Sequence, residues 1–223
     1  MQSYFTIPSE QEVDITPETA VTVNDTACNK IFRRSIIERF DLRYPHGIWY
    51  EDFSFTQMYL CVSRRIYLSP RRFYHYVQRE DSIMGQTQSR LSPKAIDRLY
   101  SMAAVLDFYR RHGLTERFRP VISHWLYQLP SMLQLLPPSH VSWGQRQARE
   151  FLRQQGLDRL FAWHDTVQSL LHPVLYALGK LFYRAKESRT QFRLIGIPVF
   201  SIIKRRHRRR YCLLGLHFGP RVP

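Results

Sequence analysis

From Ser92 to Gly156 the apolar residues recur at helical spacing, and each run ends on a stop signal. That pattern commits the middle of the chain to packed helices. Ser92 and Pro93 have the order of an N-cap followed by proline at the first helical position. Ile96, Leu99, Ala103 and Leu106 then share one face until Gly113. A second run, from about Thr115 to Leu136, places Val121, Ile122, Trp125, Leu129 and Leu133 together, with a kink expected at Pro130. Ser142 and Gln145 make a capping-box pattern for a third helix, closed by Gly156. Residues 157–185 read as helical again, with a break near Pro173.

The flanks have a different character. Residues 1–26 carry several acids and little periodicity, and read as a loop or a loosely packed entry segment. Ala27–Phe40 is predicted as a short helix on Ile31, Ile36, Ile37 and Phe40. Pro45 and Gly47 mark a turn. A helix is predicted over Asp52–Ser63, with Phe53, Phe55, Met58, Tyr59 and Val62 as its apolar marks. Two short strands are predicted on either side of Pro70, in Arg64–Pro70 and Arg71–Arg79. The expected class is therefore α/β over residues 1–86, α-helical over 87–186, and a short basic β-like tail over 187–223.

The tail holds most of the formal net charge of +15: from Lys180 onward there are twelve Lys and Arg against one acid, Glu187. It also holds an internal repeat. Phe192–Phe200 (FRLIGIPVF) and Tyr211–Gly219 (YCLLGLHFG) align around a central glycine, with Lys204–Arg210 (KRRHRRR) between them. The pattern fits a hairpin or two strap-like segments. Lys204–Arg210 fits an anionic membrane surface better than nucleic acid, because it lacks a recognition helix and base-stacking aromatics.

Several classes are excluded or set back. Cys28, Cys61 and Cys212 form no C-x-x-C pair and are odd in number, which argues against a disulfide framework or a zinc knuckle. The first residues have no basic stretch before an apolar core, as a signal peptide would. The longest apolar run, Leu194–Ile203, is too short to span a bilayer and contains Pro198. His164 and His172 lie near Asp165 but not at a metal-site spacing. A cytoplasmic protein, peripheral at the inner face of the membrane, is expected.

Glu51 and Asp52 lie side by side between aromatics at a predicted helix start. Asp52 there either caps the helix or serves as a proton acceptor at a pocket edge. The order CNKIFRRSIIERFDLRYPHGIWYEDFSFT, then RRIYLSPRRFYHYVQREDSIM, resembles the C-terminal half of the catalytic domain of family 2 glycosyltransferases, inverting enzymes of GT-A fold that build cell-surface polysaccharides. Asn29-Lys30 matches that family's NK segment, Glu51-Asp52 its ED motif, and Phe73–Tyr76 with Arg79 and Ser82-Ile83 its aromatic strand and following loop. Val77 stands where the family often carries Arg. The resemblance spans about Val23–Met84.

The resemblance implies Asp52 as general base and Glu51 as an orienting residue. Lys30 and Arg79, with Asn29 and Ser82, would face the diphosphate or the acceptor, and His75 would line the pocket. It implies a nucleotide-sugar donor, a saccharide or lipid-linked acceptor, and Mg²⁺ or Mn²⁺ in a complete member. The D-x-D motif and the donor-binding half do not occur in these 223 residues. The chain is therefore expected to be inactive alone, as a fragment of a longer reading frame, a decayed gene or half of a split enzyme. The alternative is a non-catalytic module that binds a membrane or a partner.

Overall fold

A computed structural model of the chain describes residues 9–71, 73–75, 77 and 79–173, together with the backbone of 189–194, 197–205, 208–213 and 216–218. The chain divides into two units, residues 1–167 and 168–223. The described residues of the first are mostly helical, with one two-stranded sheet.

Strand β1, Gln11–Asp14, pairs antiparallel with β2, Arg65–Leu68. Residues 71–79 were expected to form the second of two short strands around Pro70. Instead the leading segment takes the pairing, and the described residues between 71 and 79 form no strand. Side chains bridge the ladder: Arg65 pairs with Glu12, and the Tyr67 hydroxyl donates to Glu10. Helix α1, Pro17–Ala20, follows β1 and is capped by Thr16.

Helix α2 covers only Arg34–Arg39, shorter than the predicted Ala27–Phe40. Asn29 adopts a left-handed backbone, φ 56°, which no helix interior accommodates. Residues beyond it are tied to the next helix: the Arg33 N–H donates to the Tyr59 hydroxyl at 2.8 Å, and Phe32 packs edge-on against Phe55 and Tyr59.

That next helix, α3, runs Glu51–Val62, within one residue of the expected span at each end. Every residue from Phe53 to Cys61 is buried, polar Ser54, Thr56 and Gln57 included. A helix buried on all sides belongs at the centre of a domain. It packs on α5, Asp97–Arg111, which a 3₁₀ turn at Pro93–Ile96 introduces, with Ser92 as its cap. Between α3 and α5 lies α4, Ile83–Gln88. Helix α6, Arg119–Leu133, carries Pro130 in its last turn. Phe53 of α3 meets Trp125 of α6 edge-on at 5.1 Å, and Tyr109 of α5 lies against Phe118 and Trp125. Large aromatic rings thus join three helices into one core.

Helix α7, Val141–Gln154, follows a 3₁₀ turn at Pro138–His140, and His140 rather than a side-chain cap precedes it. The capping box expected at Ser142 and Gln145 does not form, because the turn already delivers the chain into the helix one residue earlier. Gly144 lets α7 approach closely: a Cβ there would meet Leu136 Cδ1 at 2.2 Å. Gly156, at φ 64°, reverses the chain into α8, Leu157–Leu160. Helix α9 spans Asp165–Leu171. The helical expectation for 174–186 lies outside the described residues.

The second unit contains an antiparallel meander of β3 (Arg189–Leu194), β4 (Ile197–Arg205), β5 (Arg208–Leu213) and β6 (Leu216–Phe218). Each copy of the internal repeat spans one hairpin, and the basic run forms the hairpin between them. The β3–β4 register shifts after Phe192, opposite the strand end that carries Pro198, which has no N–H for a ladder.

Phe53 is fully buried at the meeting of α3 and α6. Phe53→Ala is expected to cost about 3–5 kcal/mol of stability, read as a lowered urea midpoint. A change under about 1 kcal/mol would show that this contact does not hold the core.

Candidate functional site

Helix α3 surfaces at its N-terminus, in a cleft of about 660 Å³ lined by Ala27, Cys28, Tyr44, Pro45, His46, Gly47, Ile48, Glu51, Asp52 and Ile83. Local geometry holds that end in place. Tyr50, the residue before the helix, sits in the left-handed region at φ 64°, uncommon for a bulky side chain. Its surroundings fix it. Ser101 of α5 donates to the Tyr50 carbonyl at 2.9 Å, and the Tyr50 hydroxyl bonds Thr87 of α4 at 2.7 Å. The Trp49 N–H donates to Asp97 at 3.0 Å. Strain held by such contacts is common at functional sites.

The Asp52 carboxylate is half-buried and accepts from its neighbour's N–H, Phe53, at 2.9 Å. Burial pushes its pKa above the ordinary aspartate value, and the adjacent Glu51 charge adds to this. The backbone N–H groups of Phe53 and Ala27, and the Arg98 guanidinium, oppose the shift. Desolvation and a like charge therefore outweigh the bonds that favour ionisation.

Behind the carboxylate lies a charged network. Arg98 of α5 stacks 3.6 Å over the Phe53 ring and pairs with Asp25 at 3.0 Å. The other Asp25 oxygen accepts from Gln57 at 2.6 Å. Lys30 donates to the Thr26 carbonyl at 2.6 Å. Burial lowers the Lys30 pKa, while Asp25 and Asp52 pull it back. On the opposite wall Tyr44 stacks flat on Phe55, centroids 4.2 Å apart. Burial, then Asp52 and Glu51, raise the Tyr44 pKa, which places its hydroxyl within the field of both carboxylates.

The residues singled out from sequence fall into two groups. Glu51 and Asp52 line the cleft, and Lys30 lies within electrostatic reach of Asp52. Asn29 is exposed on the preceding turn. Ser82 caps α4 by accepting from Gly85 N–H at 3.1 Å, and the next residue, Ile83, reaches the cleft. Arg79 is exposed, beside Asp81 at 3.6 Å, and its carbonyl accepts from Ser82. His75 is exposed on the irregular segment after β2. Neither His75 nor Arg79 is among the residues lining the cleft. Sequence reasoning missed Asp25, Arg98 and Tyr44. Nothing local to these three residues marks a role, because their partners are distant in the chain.

Among the described residues no three His, Cys, Asp or Glu side chains converge as a metal ion requires.

The raised carboxyl of Asp52 has a consequence for stability. The folded chain binds that proton more tightly than the unfolded chain, so ionised Asp52 costs stability at neutral pH. The cost disappears as pH falls below the ordinary aspartate value. Asp52→Asn, which keeps an oxygen for the Phe53 N–H, is expected to be more stable than the parent at about pH 7, with the gap closing toward about pH 3. Denaturation across that range checks it; a variant less stable at neutral pH contradicts the assignment.

No family model, no curated protein and no solved structure matches the chain.

Proposed function

We propose that the cleft at the start of α3 is the acceptor side of an inverting glycosyltransferase related to family 2, with Asp52 as the general base. The observation that carries the reading is a half-buried carboxylate with a raised pKa at the edge of an open cleft. A carboxylate whose pKa is raised above the ordinary aspartate value is a better proton acceptor. Asp52 takes the proton from an acceptor hydroxyl as that oxygen attacks the anomeric carbon of a nucleotide sugar. The nucleoside diphosphate leaves from the opposite face, and the configuration inverts.

The surrounding residues have roles consistent with this. The Phe53 N–H fixes one Asp52 oxygen. Glu51 raises its basicity, and Arg98 with Lys30 keeps the site from losing its charge. The Tyr44 ring, backed by Phe55, presents an apolar wall to the C–H face of a sugar. Arg79, exposed after β2, supplies positive charge for a donor diphosphate bound by a further element.

Among the described residues no helix is long and apolar enough to cross a membrane. The reading places the protein at the cytoplasmic face as a peripheral protein that meets lipid-linked acceptors. A second reading, a non-catalytic membrane- or partner-binding module, draws its support from the basic sheet of the second unit.

The test is add-back of purified protein to an extract of cells deleted for the chain, supplied with a panel of nucleotide sugars, with nucleoside diphosphate release as readout. The parent is expected to restore release, and Asp52→Asn to reduce it by about 10²–10⁴-fold. Equal release with both proteins, or none with either, contradicts the reading.

A further inference from the structure

Strand register sorts the second unit into two unlike faces. Directly opposed residues lie on the same face of an antiparallel sheet, and alternate residues along a strand lie on opposite faces. Phe200 opposes Phe192 on one side and Leu213 on the other. Ile202 opposes Tyr211, which in turn opposes Phe218. These residues form one apolar, largely aromatic face across all four strands. The alternate face carries Gln191, Ser201 and Cys212, and then Arg189 and Arg210 opposite Ile203.

The end of the β4–β5 hairpin adds a second feature. Lys204 opposes Arg209, and Arg205 opposes Arg208. Like charges directly opposed across a ladder repel. Residues 189–218 contain eight Lys and Arg and no acid, so this segment supplies no charge of its own to offset them. Lys204 and Arg209 continue the apolar face at its hairpin end, two residues beyond Ile202 and Tyr211.

We infer that this face, Phe192, Phe200, Ile202, Tyr211, Leu213 and Phe218 with the basic hairpin end beside it, is a docking surface for an anionic phospholipid bilayer. A single sheet cannot cover its own apolar face. A second copy of the chain would bring the same positive charge against it. An anionic bilayer offers hydrocarbon for the aromatic face and phosphate for the hairpin end at one boundary, where aromatic side chains and basic clusters are both favoured. The inference rests on the peripheral placement proposed above, but lipid binding is read without sugar transfer. Failure of one therefore leaves the other standing.

The experiment is co-sedimentation of the full chain with vesicles of phosphatidylcholine alone or with phosphatidylserine, at low and high salt. Binding is expected only with phosphatidylserine, weakening as salt rises. Replacing Lys204, Arg205, Arg208 and Arg209 together by Gln removes repulsion within the hairpin, so it does not threaten the sheet. That variant is expected to bind about 10²–10³-fold more weakly. Phe200→Ser with Tyr211→Ser is expected to lose the binding that survives high salt, while Asp52→Asn binds as the parent does. Three results would overturn the inference: equal binding to both vesicle types, unchanged binding by the Gln variant, or a dimer that persists with vesicles present and dissolves on Phe200→Ser. Displacement from vesicles by RNA at equal phosphate would assign the charge to nucleic acid instead.

Discussion

A helix buried over nine consecutive residues has to meet water at an end, and α3 does so at Glu51 and Asp52. Everything around the cleft follows from that. Tight packing of Phe53 against Trp125 and Arg98 fixes the helix axis and rotation. The first turn then cannot swing its carboxylates freely into solvent. Acidic residues suit a helix N-terminus, where the backbone N–H groups and the dipole favour negative charge. Asp52 uses that field through the Phe53 N–H, yet its burial and its neighbour Glu51 leave the proton more firmly held than on an ordinary aspartate.

The positive charges nearby are positioned by the same packing. Arg98 is not a surface residue recruited to the cleft. It is held flat on the Phe53 ring and locked by Asp25, whose second oxygen is taken by Gln57 from within α3. Removing one member of such a partly buried pair leaves the other charge uncompensated. The left-handed Tyr50 belongs to the same arrangement: Ser101, Thr87 and the bond from Trp49 to Asp97 hold it from α4 and α5. The helices after residue 86 thus shape the carboxylate pair as much as the segment that contains it. In the second unit the organising constraint is register, which gathers the aromatics of both repeat copies onto one face.

Local signals in the sequence carried much of this. The α3 span, the turn at Gly47, the stops at Gly113 and Gly156, and the Ser92 cap each depend on residues close in the chain. What stayed hidden depends on distance. The partner of β2 lies more than fifty residues upstream, in a segment with no strand signature. Asp25 and Arg98 are 73 residues apart, and neither stands out within its own segment. Tyr50 gives no hint of its left-handed backbone, because the tertiary contacts that hold it are unlike the glycine a turn ordinarily uses. The two unlike faces of the tail emerge only when the Gly-centred repeats are folded as hairpins, which brings alternate residues of four strands into line.

The central claim is that Asp52 is a basic, half-buried carboxylate set by α3 and tuned by Arg98. The most direct measurement is a titration of the Asp52 carboxyl carbon by NMR, in the parent and in Arg98→Gln. The account expects a midpoint above the ordinary aspartate value in the parent and a further rise when the Arg98 charge is removed. A parent midpoint at or below the ordinary value would contradict it. It would leave Asp52 as a helix cap rather than a base.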